Sequence, residues 1–161
     1  MADSADVMLV RMGGSSYALP VAAVREVVRL PQVTRVPGLP PLVAGLTNVR
    51  GRVLAVLDLR SLLRLDGPRG DRLVILDGEQ DGGANPQVPS ARGTRALVGL
   101  IVDAALDMVQ LPAGGLEPLP PGFPPEAAGV LDGMTVIAGT PIALLTPSGL
   151  LALRGRLAQP A

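Results

Sequence analysis

Leu19-Pro-Val-Ala-Ala-Val-Arg-Glu-Val-Val-Arg-Leu-Pro31 recurs later in the chain as Leu100-Ile-Val-Asp-Ala-Ala-Leu-Asp-Met-Val-Gln-Leu-Pro112. The pairs Leu19/Leu100, Val21/Val102, Ala23/Ala104, Val28/Val109, Leu30/Leu111 and Pro31/Pro112 share one constant spacing. Glu26 falls opposite Asp107, and Val27 opposite Met108. A second repeat follows at a slightly longer spacing. Val56-Leu-Asp58 with Leu62-Leu63 recurs as Leu144-Leu-Thr146 with Leu150-Leu151. Chance similarity among Val- and Leu-rich strands would account for isolated matches; duplication accounts for order, spacing and cap position together. Each half, 7–66 and 71–153, then reads as strand, strand, and a strand feeding a capped helix.

Outward from the repeat, Gly (20) and Pro (17) are spread along all 161 residues, which favours short strands and turns over long helices. Val-rich runs between these breakers predict strands at Val7–Met12, Val24–Leu30, Arg52–Asp58, Arg72–Asp77, Arg95–Val102, Ala105–Gln110, Gly133–Ala138 and Pro141–Leu145. Asp58 is placed to cap a helix over Leu59–Leu65, and Thr146 with Pro147 one over Ser148–Leu153. Residues 78–94 are polar and rich in Gly and Pro, and read as an exposed, mobile loop. Residues 112–128 read as a proline-stiffened loop, and Arg154–Ala161 as a fraying end. The fold class expected is all-β. Two small barrel subdomains pack together with short capping helices, form a single domain over 1–161, and leave a groove between them.

Composition narrows the chemistry. With 48% hydrophobic residues the chain can bury a core. Formal net charge is +0, so no basic excess holds a phosphate backbone and no nucleic-acid partner is expected. One Tyr and one Phe leave almost nothing on which bases could stack. There is no His, no Cys and no Lys. That removes an imidazole base, a thiolate nucleophile, a Cys-ligated zinc site, a Schiff base and a phosphate-loop lysine. Carboxylates, hydroxyls and Arg remain. The polar, acidic start Met1–Asp6 does not resemble a signal peptide, and no apolar run approaches the roughly 20 residues of a membrane span. The expectation is a cytoplasmic protein, without membrane insertion, metal or cofactor.

The residues that stand out each have a plain structural account. Asp103 and Asp107 lack the dense Asp/Asn/Gly loop of an oxygen-ligand metal site and read as a strand terminus. Gly13-Gly14 and Gly82-Gly83 open no helix and read as turn tips. Thr146-Pro-Ser-Gly149 lacks the glycine that a nucleophile elbow carries before its serine. Gly45-Leu-Thr-Asn-Val-Arg-Gly51 is the most informative stretch. Asn48, Arg50 and Gly51 interrupt two apolar runs, as a hairpin tip does. Arg50 is then either solvated or held at a groove, donating to a carboxylate or carbonyl. Glu26 shares a strand face with Val24 and Val28 and calls for a partner, for which Arg50 is the candidate.

On these residues the chain resembles the CheW family of chemotaxis coupling proteins. The matching stretches are Tyr17–Val28, Val33–Pro37, Leu39–Gly45, Asn48–Gly51, Val56–Leu59, Val98–Asp103 and Leu144–Leu151. They fall in the family's order and cover the chain from Val7 to Leu153. The resemblance implies two small five-stranded SH3-like barrels packed together, and a non-enzymatic scaffold. Such a scaffold bridges the cytoplasmic tip of chemoreceptors and the regulatory domain of the histidine kinase CheA, within receptor arrays. It implies that a receptor's helical hairpin lies in the groove between barrels. It carries contact roles onto Val24, Glu26, Gly45, Asn48, Arg50, Gly51, Ala105 and Met108. The chain departs from the family pattern at Ala44, at Ala55 and at the opening strand, where Met8 and Met12 stand near a usual Phe. An accessory protein that binds receptors but not the kinase is the alternative.

Overall fold

The computed structural model describes residues 6–78, 96–112 and 115–155. Ten strands follow in chain order: β1 Asp6–Met12, β2 Ser15–Pro20, β3 Val24–Arg29, β4 Val43–Val49 and β5 Arg52–Leu57, then β6 Arg72–Gly78, β7 Ala96–Val102, β8 Ala104–Gln110, β9 Leu131–Ile137 and β10 Thr140–Leu145. One helix, α1, spans Pro147–Gly155, and 3-10 turns occupy Val21–Ala23 and Pro125–Gly129. All eight expected strands are present within a residue or two at their ends. β2 and β4 were not expected as strands.

The strands form two five-stranded sheets, ordered β8-β1-β2-β10-β9 and β3-β6-β7-β5-β4. Replacing every strand of one sheet by the strand five places away along the chain reproduces the other sheet. The pairing directions follow the same rule, since β10 runs parallel to β2 and β5 parallel to β7. Neither sheet is built from one half of the chain. β1 and β2 join the last three strands, while the third to seventh strands make the other sheet.

Among the described residues no ladder joins the two edge strands of either sheet, so neither closes as a fully hydrogen-bonded barrel. Each sheet has one isolated bridge instead. The chain beyond β3 returns to β4 at Thr34↔Leu46, and the chain beyond β8 returns to β9 at Glu117↔Met134. Thr34 and Leu46 exchange backbone bonds of 2.8 and 2.9 Å, and Glu117 and Met134 bonds of 2.7 and 2.8 Å.

The strand alternation explains the long apolar runs. In β6, Leu73 and Ile75 point into one buried cluster, while Val74 and Leu76 point into another. β7 divides the same way, Leu97 and Ile101 against Val98, Leu100 and Val102. One cluster belongs to the β3–β7 sheet alone, and a smaller one of Val7, Ala18, Ile142 and Leu144 to the other sheet. The third and largest draws Leu19, Leu57, Leu76, Leu100, Leu145 and Leu150 from both sheets and α1, and binds them together. A strand with a core on each face needs no polar alternation.

The helix expected over Leu59–Leu65 is not formed. Residues 59–64 make a single turn. Leu63 N donates to Leu59 O, Leu65 N reaches Arg60 O, and Arg64 has φ 54°. This is a Schellman-type closure, with Arg64 in the left-handed position that ends a helix. Asp58 still anchors the turn. Its Oδ1 accepts Arg60 N at 3.1 Å, and its Oδ2 accepts Arg60 Nη2 at 2.9 Å. Arg60 Nη1 donates onward to Gly67 O at 2.8 Å. The second expected helix is α1, where Leu150 N donates to Thr146 O. It begins at Pro147 and continues to Gly155, beyond the expected end at Leu153; residues 156–161 lie outside the described residues. The expected loop over 78–94 is likewise outside them, apart from Gly78, the last residue of β6.

Candidate functional site

The eight candidate residues fall on three strands and one turn. Val24 and Glu26 are on β3, Gly45 and Asn48 on β4, and Arg50 and Gly51 form the tip that joins β4 to β5. Ala105 and Met108 are on β8, in the other sheet. β3 and β8 are edge strands at equivalent places in the two sheets. The pairs Val24/Ala105, Glu26/Asp107 and Val27/Met108 are thereby equivalent in space as they are in the repeat.

The β4–β5 tip is a tight hairpin. Val49 pairs with Arg52, and the two residues between them have positive φ, 52° at Arg50 and 82° at Gly51. Two successive positive φ values mark a type I′ turn, the geometry that suits the twist of a two-residue hairpin. Asn48 supports this turn, its Oδ1 accepting Gly51 N at 2.9 Å. The β9–β10 tip repeats the geometry at Ala138 (φ 51°) and Gly139 (φ 80°). The β1–β2 tip, Gly13-Gly14, is held by Asp103, whose Oδ2 accepts Gly13 N at 2.9 Å.

Arg50 meets Glu26 as expected. Its Nη1 donates to Glu26 Oε2 at 2.6 Å. The arginine side chain is 76% exposed and the glutamate 23%. The carboxylate is thus partly covered by the sheet, while the guanidinium keeps donors free toward solvent. The geometry offers a rigid planar donor at a protruding tip, suited to a partner's carboxylate or carbonyl.

The other positions differ in kind. Met108 is 70% exposed on β8 and Ala105 is exposed beside it, in register with Met8 and Val10 of β1. Val24 is half-buried against the central core. Gly45 is buried, and a Cβ there would sit 2.1 Å from Thr34 O. Gly133, its counterpart in β9, meets Glu117 O in the same way. Gly45 therefore admits the bridge strand to β4 and offers no side chain to a partner.

Sequence reasoning missed a cleft of about 540 Å³ between the β1–β2 turn, the turn after β5 and the Pro121–Pro124 segment. The chain's one Tyr and one Phe, Tyr17 and Phe123, both line it. That shared placement was the available signal. Burial pushes the Tyr17 hydroxyl above its ordinary pKa, opposed in part by a hydrogen bond with Ser15. Among the described residues, no group of three or more acidic side chains is placed to hold a metal ion, and no helix is long and apolar enough to cross a membrane.

Two equivalent five-stranded sheets around a shared core define a paired-sheet β module. The chain belongs to the CheW-like domain family, whose model matches residues 6–154. It is 34% identical over 114 residues to the protein PilI of Pseudomonas aeruginosa, covering 69% of this chain and 56% of PilI. Chemotaxis protein CheW of Bacillus subtilis is 30% identical over 119 residues, covering 69% of this chain and 64% of that protein. CheW of Klebsiella aerogenes is 26% identical over 115 residues, with coverage of 71% and 62%. The matches thus span less than two thirds of the length of these relatives. The crystal structure of the scaffolding protein TtCheW from Thermoanaerobacter tengcongensis shares the fold, with a TM-score of 0.69 at 23% identity, over 91% of this chain and 85% of that one.

Proposed function

We propose that the chain is a non-enzymatic scaffold that couples the cytoplasmic tip of chemoreceptors to the regulatory domain of a CheA-type histidine kinase. It would work in the cytoplasm, at receptor arrays. The observation that carries this reading is the pair of equivalent edge strands, one with Glu26 and Arg50 joined beside it and the other with Met108 bare. Two such edges offer two different surfaces on one rigid core, as a bridging protein requires. The contacts are small, so the affinity of each is modest and an array gains strength through multivalency.

The test is a pull-down of receptor hairpin tip and kinase regulatory domain on the purified chain, singly and together. Binding of both supports the coupling role. Binding of receptor alone sinks it and favours an accessory that tunes or insulates one pathway. Two observations keep that second reading in view: Ala44 and Ala55 depart from the family pattern, and the relative with 34% identity is PilI rather than a CheW.

A further inference from the structure

The cleft beside Tyr17 shares no residue with the eight contact positions. Its volume, about 540 Å³, falls in the range of small-molecule sites, roughly 300–1,000 Å³. One wall is apolar and includes Leu63, Leu65, Phe123 and Met134. Ser15, Ser16 and Thr140 line it as well.

Arg64 is the one charged residue of this lining, and no acid faces it there. Among the described residues Arg64 makes no side-chain hydrogen bond or ion pair. Its backbone has φ 54°, at the position that closes the turn after β5. Glycine is the usual residue there. The chain keeps a long cationic side chain where the backbone disfavours any side chain. We propose that this cleft binds a small amphipathic carboxylate, its acid group on Arg64 and its aromatic or branched body against Phe123 and Met134. One guanidinium with neighbouring Ser and Thr residues matches a single negative charge, whereas phosphate sites draw on several cations or a helix N-terminus. The absence of any lining acid disfavours amines.

The chain has no Trp, so tyrosine emission reads Tyr17, inside the cleft. Titrating the full chain with phenylacetate is expected to change that emission saturably. Benzylamine, with the same ring and the opposite charge, is expected to leave it unchanged. Arg64→Gln is expected to weaken phenylacetate binding about tenfold or more, the loss of one charge-assisted contact. Its thermal midpoint stays close to the parent's, because the side chain is exposed. Phe123→Ala weakens binding too, and its own unfolding curve separates lost affinity from lost fold. No saturable change at millimolar phenylacetate, equal binding of benzylamine, or an Arg64→Gln titration that matches the parent would each overturn the proposal. None of these readouts depends on receptor or kinase binding.

Discussion

Arg50 Nη1 lies 2.6 Å from Glu26 Oε2, although their strands stand at opposite ends of one sheet's order. The contact joins the tip of β4–β5 to β3 and, with the Thr34↔Leu46 bridge, draws the two edges of the sheet together. It is also the point at which the candidate surface carries charge.

Because Arg50 is largely exposed, its ion pair stabilises little, less than about 1 kcal/mol. Arg50→Glu sets two carboxylates side by side at the tip. The expected outcome is a folded protein, with a circular dichroism spectrum like the parent's, that no longer retains its partner in a pull-down. Normal retention would show that Arg50 is not a contact residue.

Gly45→Ala tests the close approach of the bridge strand. The new Cβ would lie 2.1 Å from Thr34 O, and backbone rather than a flexible side chain has to move. A loss of about 2 kcal/mol or more is expected in urea unfolding. Gly67 also has a positive φ but meets nothing within 4 Å, so Gly67→Ala should cost distinctly less. Equal losses would mean that backbone conformation, not the contact with Thr34, fixes glycine at position 45.

Ala138 holds a left-handed conformation at the β9–β10 tip. Ala138→Asn creates the Asn-Gly pair that type I′ turns prefer. It is expected to raise stability by about 1 kcal/mol and the thermal midpoint by about 3 °C. An unchanged midpoint would show that the tip relaxes away from this geometry.

Tyr17 gives a pH-dependent signature. Burial holds its hydroxyl protonated above the ordinary value of 10.0. The absorbance rise of tyrosinate at 295 nm should therefore come later in the folded chain than in urea. Below pH 10 both states keep the proton, and Tyr17 adds no pH dependence. As pH rises above 10 the unfolded chain ionises first, and stability falls until the folded hydroxyl titrates too. Coincident titration curves would place Tyr17 in solvent.

The eight strands with dense Val and Leu were legible because both hydrophobic content and turn residues marked them. β2 (Ser15–Pro20) escaped because its two serines and final proline look like a turn, and β4 because Gly45 and Asn48 interrupt it. The helix expected after Asp58 stops at one turn because Arg64 adopts the left-handed conformation that Gly would have announced. At the site, alternation anticipates the Glu26–Arg50 pair but misplaces one neighbour: a register shift between Val24 and Glu26 leaves Glu26 on the face of Val28 and turns Val24 into the central core. The roles of Gly45 and Asn48 were not readable, since both work on neighbouring backbone that no pattern identifies. The partner of each strand was equally hidden. Alternation encodes which face is buried, but not whether β1–β2 pairs with the next three strands or the last three.

That exchange bears on how the chain is made. The β1–β2 hairpin leaves the ribosome before the other described strands, yet the strands flanking it, β8 and β10, come after the whole of the other sheet. At ordinary synthesis rates the hairpin waits on the order of ten seconds with both edges bare. The sheet started second is finished first. Once β7 has cleared the ribosome and before β8 follows, the chain holds one complete sheet and an orphan hairpin.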